Sequence, residues 1–117
     1  MTFIKTAEVY EQKILGLIGL AAKAGQLVKG TDAVLEGIAK RKVHLVIIAA
    51  DAGKVISADI TASCAVNSVP EYRCKVLDKA KLGALMGRAA LAVVGITSVD
   101  FARGIEEIFN ANLSSAE

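Results

Sequence analysis

The sequence predicts an α/β fold, a three-layer α/β/α sandwich around a small four-stranded mixed sheet with helices on both faces. Three observations predict it. Apolar segments of helical and strand length alternate through the chain as α-β-α-β-α-β-α-β-α. The composition is 54% hydrophobic but only 4% aromatic, with no Trp. The core must therefore be packed from Ala, Val, Ile and Leu, which suits stacked layers better than an aromatic-rich barrel. Finally, Val43–Ala50 (VHLVIIAA) is a continuous apolar, β-branched run closed by Asp51-Ala52-Gly53, the pattern of a strand covered on both faces. A chain of 117 residues can bury one core and is too short for two ordinary domains. A single domain over 1–117 is expected, with frayed ends near 1–8 and 113–117.

The first helix is expected over Val9–Ala24, where the run ILGLIGLAAKA is apolar nearly all round and reads as a core helix. Gly16 and Gly19 inside it cost helix propensity, so their expected use is close contact with a sheet or another helix. After Gly25 comes a short strand, Leu27–Lys29, and then a second helix with a buried stripe of Val34, Leu35, Ile38 and Ala39. Val43–Ala50 should occupy the middle of the sheet. His44 at its start has no partner carboxylate or cysteine spacing and is assigned no chemistry. Val55–Val66 reads as a helix in which only Asp59 is ionised. Val69-Pro70 breaks the chain before Tyr72–Leu77, whose alternation of Tyr72, Cys74 and Val76 with Arg73 and Lys75 fits a strand near an edge. A short helix, Lys79–Met86, is closed by Gly87 and followed by the run Ala89–Ile96, a second buried strand. Thr97-Ser98 caps the last helix, with Phe101, Ile105, Ile108 and Phe109 as its core stripe.

Composition also narrows the function. Fourteen Lys+Arg against twelve Asp+Glu leave a net charge of +2, far from that of a generic nucleic-acid coat, so any nucleic-acid binding must rest on local clustering. Cys64 and Cys74, without CxxC spacing, suggest buried reduced thiols and no metal site. The N-terminal residues lack a secretion signal and no run is long enough to span a membrane, which together point to the cytoplasm. Catalysis needs a nucleophile with its base, paired carboxylates or a metal cluster; Asp51 stands after the central strand with no such companion and reads as a cap for the helix that follows. No cofactor is implied, and an enzyme ranks last among the readings.

The informative stretch is Gly25–Lys42, GQLVKGTDAVLEGIAKRK, which packs a turn, a glycine-opened helix and a basic exit into eighteen residues. Gly30-Thr31-Asp32 must turn the chain from strand to helix, and the three residues also suit a helix cap. Glycine at that turn lets another backbone approach, and the helix start offers N–H groups to a phosphate or a base edge. Asp32, Glu36 and Lys40, spaced by four, share an exposed face. Lys40-Arg41-Lys42 closes the helix, where three cations offset its dipole and equally suit phosphate contact.

Val28-Lys29-Gly30-Thr31-Asp32, then Leu45–Ala50 with Asp51-Ala52, then Val69-Pro70, then Leu82-Gly83 with Gly87 resemble, in that order, the kink-turn RNA-binding ribosomal protein superfamily (L-seven-Ae/L-thirty-e-like). The resemblance covers roughly Leu15 to Ile108 and is greatest to small bacterial members. It implies the same α/β/α fold and a non-catalytic protein that binds structured RNA, ribosomal RNA among the candidates, by placing the strand-to-helix turn against tandem sheared G·A pairs. Carried onto this chain, the approach glycine falls on Gly30 beside Thr31, Lys29 meets phosphate, and the guanine-reading positions fall on Asp32, Ala33 and Glu36. The second RNA loop falls on Arg88-Ala89-Ala90-Leu91, and Lys40, Arg41 and Lys42 add positive charge. Many kink-turn binders carry Asn, Glu and Lys where this chain has Asp32, Ala33 and Glu36. An acid there repels phosphate, although Asp can accept from a guanine amine. Those acids, with the weakly charged helix Val55–Val66, define the alternative of a protein-interaction module that kept the fold and lost kink-turn recognition. A monomer is the expected state.

Overall fold

In the computed structural model, residues 6–75 and 77–115 are described. Val76 and the outermost parts of the expected frayed ends, residues 1–5 and 116–117, lie outside them. Nine elements follow in the expected alternation: α1 (Thr6–Lys23), β1 (Leu27–Lys29), α2 (Thr31–Ala39), β2 (Leu45–Ile48), α3 (Lys54–Asn67), β3 (Glu71–Arg73), α4 (Lys79–Leu85), β4 (Val93–Ile96) and α5 (Val99–Ser115). β1 has the expected bounds, β2 and β4 are shorter than the apolar runs that announce them, and β3 covers Glu71–Arg73 where Tyr72–Leu77 is expected. Ala49 and Leu91, at the margins of those runs, are buried outside any strand.

The four strands form one mixed sheet in the order β1-β4-β2-β3, with β4 antiparallel to both β1 and β2 and β3 parallel to β2. β2 is thus interior and β3 an edge, as the sequence implies. Alternation along β2 sends Leu45 and Ile47 to one face and Val46 and Ile48 to the other, and all four are buried. On the first face they meet Ile14 and Ile18 of α1, Leu82 of α4, and Ile105 and Phe109 of α5. On the second they meet Val34 and Ile38 of α2 and Ile60 and Cys64 of α3. Two separate apolar layers enclose the sheet, the architecture the composition predicts.

Three expectations about packing are corrected. α1 is not a core helix: Ile14, Ile18 and Ala21 form a single buried stripe, while Leu20 is 54% exposed. Gly16 and Gly19 make no close contact, since a Cβ on either would meet nothing within 4 Å. On α2, Ala39 is exposed, and the buried place beside Ile38 belongs to Gly37, where a Cβ would lie 2.6 Å from Val43 Cγ2. α2 can therefore lie closely against Val43, at the entry to β2, because Gly37 has no side chain.

Four helices end alike, with a residue in the left-handed region: Gly25, Arg41, Ser68 and Gly87 at φ 69, 60, 57 and 69°. At α2 the Arg41 N–H donates to Ile38 O and the Lys42 N–H to Gly37 O, the paired bonds of a Schellman close. β3 is fixed to α5 by Tyr72, which stacks on Phe109 with centroids 4.3 Å apart and donates to Glu106 Oε2 at 3.4 Å.

Candidate functional site

The register places the C-terminal ends of β1, β2 and β3 and the start of β4 at one end of the sheet. There a single residue, Gly30, turns β1 into α2. Its backbone at φ 90°, ψ 161° lies in a region essentially reserved for glycine. The Gly30 N–H donates to Val93 O at 3.0 Å, and its carbonyl accepts from the Val34 N–H at 3.0 Å. Thr31 and Asp32 do not cap the helix; they are its first residues, Gly30 is the N-cap, and no side chain bonds to the cap. The positive end of the α2 dipole is therefore left to whatever approaches from outside. A Cβ at Gly30 would meet nothing within 4 Å, so the approach that glycine permits is open space, not a contact within the chain.

The second loop lies at the same end, where Arg88, Ala89 and Ala90 are exposed, whereas Leu91, expected to belong to its RNA surface, is buried. The loop leads into β4, whose first residue, Val93, accepts the Gly30 N–H through its carbonyl, so the turn is bonded to the strand that the loop feeds. Gly83 holds the loop in place: a Cβ there would lie 2.8–2.9 Å from the Cα, C and N of Ala90, so α4 lies directly beneath the loop backbone. The Leu91 N–H donates to Lys79 O at 2.9 Å and pins its other side. Asp51, expected to cap the helix that follows it, instead accepts the Lys79 N–H at 2.8 Å and anchors α4, while the N-cap of α3 is Gly53 without a side-chain bond. Asp78 Oδ1 caps α4 through the Lys81 N–H.

On α2, Asp32 and Glu36 are exposed with Lys40 on one face, whereas Ala33 between them is half-buried. Lys40 Nζ lies 2.6 Å from Glu36 Oε2, and this hydrogen-bonded cation holds the Glu36 carboxyl below its ordinary pKa. Lys40 is thus already paired. The basic trio does not join the Gly30 cluster. Nine helical residues separate Thr31 from the end of α2, about 13 Å at 1.5 Å per residue. The bond from the His44 N–H to Ile96 O sets the trio beside the opposite end of β4. The twelve residues singled out in the sequence therefore form two groups. Lys29, Gly30, Thr31, Asp32 and Ala33 gather with Arg88, Ala89 and Ala90 at one end, Lys40, Arg41 and Lys42 sit at the other, and Glu36 goes with the second group through its bond to Lys40.

Cys64 and Cys74 are free and buried, and burial pushes their thiols up to about 11 and about 12, too high for a thiolate nucleophile at neutral pH. Among the described residues no three His, Cys, Asp or Glu side chains are grouped to hold a metal, and no helix is long and apolar enough to cross a membrane. Sequence reasoning missed what three residues do. Gly83 stands with Leu82 in the resemblance, but nothing in the sequence shows that it seats the Ala90 backbone. The reach of Asp51 to α4 is a long-range contact. Glu11, though, continues the spacing of Ile14, Ile18 and Ala21, which would have placed it in the buried stripe.

A sequence profile of the Ribosomal protein L7Ae/L30e/S12e/Gadd45 family matches residues 12–105. The chain is 36% identical over 86 residues to the RNA-binding protein YlxQ of Bacillus subtilis, covering 74% of this chain and 84% of that one. It is 32% identical over 114 residues to the large ribosomal subunit protein eL8 of Thermoplasma volcanium, covering 97% and 90%. A solved structure of a Bacillus halodurans protein of unknown function superposes with a TM-score of 0.78 at 30% identity, covering 84% of this chain and 97% of that one.

Proposed function

Because the chain belongs to the Ribosomal protein L7Ae/L30e/S12e/Gadd45 family, we propose that it is a cytoplasmic, non-catalytic RNA-binding protein of ribosomal type that works as a monomer without a cofactor and recognises a kinked, structured RNA. The observation that carries this reading is that the Gly30 turn and the Arg88–Ala90 loop lie at one end of the sheet, with the Gly30 N–H bonded to Val93 O at the start of the strand that the loop feeds. An open glycine backbone, a helix start without a side-chain cap and an exposed loop with two alanines together suit the recognition of RNA shape better than the reading of base edges deep in a groove. In this reading Lys29 and Arg88 contact phosphates, the N–H groups at the start of α2 face the kink, and Asp32 accepts from a guanine amine. A stem running along α2 reaches Arg41 and Lys42, while Lys40 stays committed to Glu36. The names of two relatives, an RNA-binding protein and a ribosomal subunit protein, support the choice of RNA, and eL8 makes ribosomal RNA the leading partner class.

A salt titration tests the assignment. Each phosphate contact releases counterions, so Lys29→Ala with Arg88→Ala is expected to lower the slope of log affinity against log salt by about 2 while leaving thermal stability unchanged. An unchanged slope would move the RNA elsewhere. The second reading, a protein-interaction module, is favoured by the acids Asp32 and Glu36 on the α2 face and by Val55 and Val66 of α3, 75% and 82% exposed. It predicts a dimer or complex in gel filtration without RNA, and no preference among RNAs.

A further inference from the structure

Between α1 and the end of α4 runs an open groove of about 520 Å³. Its walls are Leu15 and Leu20 on one side and Leu85 and Met86 on the other. Leu20 and Leu85 are 54% and 37% exposed, so this apolar surface faces solvent in the isolated chain. Gly16 and Gly19 lie on the α1 wall. Both weaken a helix interior, and neither is repaid by a close contact, since a Cβ on either would meet nothing within 4 Å. Their spacing of three strips one side of α1 to its backbone, a surface against which another backbone can pack closely.

Among the described residues, the polar side chains lining the groove are Lys23 and Lys29, and no acid lines it. Lys13, one turn before Gly16, and Arg88, just past Met86, extend the positive border in the sequence. A small polar ligand would find no acceptor here and no convergent hydroxyls or amides. A nucleobase would find no aromatic ring to stack on. A second copy of this chain would bring the same lysines face to face. What matches an apolar floor thinned by glycines and bordered by cations is an amphipathic helix with apolar anchors and acidic flanks. We propose that this groove docks an acidic amphipathic helix of a partner protein, on a surface that borders the nucleic-acid face at Lys29 and does not depend on it.

The test uses the full chain and a fluorescent synthetic peptide with leucines on one helical face and glutamates on the other, beside the same peptide with lysines in place of glutamates. The acidic peptide is expected to bind in a salt-sensitive manner, with amide NMR shifts concentrated in Leu15–Lys23 and Leu85–Met86, and the lysine peptide to bind far more weakly. Leu20→Glu, at an exposed position, and separately Lys23→Glu are each expected to weaken the acidic peptide roughly ten-fold or more with an unchanged melting temperature and unchanged RNA affinity. Equal binding of the two peptides, no binding of the acidic one, or no effect of either substitution would overturn the proposal. So would loss of RNA binding in Leu20→Glu, which would assign the groove to RNA, or loss of a native dimer, which would assign it to a second copy.

Discussion

At Gly30 the backbone angle, more than the absence of a side chain, excludes other residues. From the sequence, a bulkier residue there should cost binding far more than stability unless Gly30 has a positive φ, and φ 90° with ψ 161° selects that alternative. There is room for a Cβ, and the conformation still disfavours one. Gly30→Val is therefore expected to lower unfolding stability by about 1–3 kcal/mol in a urea titration, with no change in the folded far-UV spectrum. An unchanged midpoint would contradict the observed turn. Glu11 raises a different single-residue question. It is 7% exposed, its Oε1 has no hydrogen-bond partner, and burial pushes its carboxyl pKa up despite the opposing charge of Lys81. The folded state thus holds the proton more tightly than the unfolded chain. Its unfavourable contribution is absent below the ordinary value of 4.5 and grows as pH rises from there through the raised folded value. Glu11→Gln is expected to flatten that decline, so that the variant gains on the native protein between about pH 4.5 and neutrality. Parallel stability curves for the two proteins across that range would show that Glu11 is solvated and paired.

At the scale of elements, the loop carrying Arg88–Ala90 is placed by its neighbours and not by its own sequence. Gly83 leaves room for the Ala90 backbone, and Asp51 and Asp78 anchor the start of α4. A methyl at Gly83 would meet backbone atoms, which cannot rotate aside. Gly83→Ala is accordingly expected to cost about 1–3 kcal/mol and to displace the loop, weakening RNA binding without touching any charge. Unaltered melting and unaltered affinity together would show that α4 does not support the loop. The elements themselves were legible because their signals are local: the β-branched run of β2, the glycine closing α1 and the serine before α5, whose Oγ accepts the Phe101 N–H. α1 was misjudged because its apolar residues exceed what one face can bury, and only the tertiary arrangement shows that Leu20 and both glycines look outward. The ends of α2 and α3 were equally hidden, since Arg41 and Ser68 adopt the left-handed close that sequence reasoning reserves for glycine.

For the whole molecule, the layered architecture followed from composition and alternation, whereas the shape of the candidate site did not. A stretch continuous in sequence, Gly25–Lys42, spans the sheet from one end to the other, because α2 carries the chain about 13 Å between Gly30 and the basic trio. Conversely, Lys29 and Arg88 are far apart in sequence and meet at one end because β1 and β4 pair antiparallel. The central claim is that this composite end recognises kinked RNA by shape. The most direct measurement is the affinity of the native chain for a kink-turn duplex and for an otherwise identical duplex lacking the tandem G·A pairs, at one fixed salt concentration. The account predicts tighter binding to the kink-turn by roughly ten-fold or more, the value of even one productive base contact of about 1–3 kcal/mol. Equal affinity for the two duplexes would contradict it.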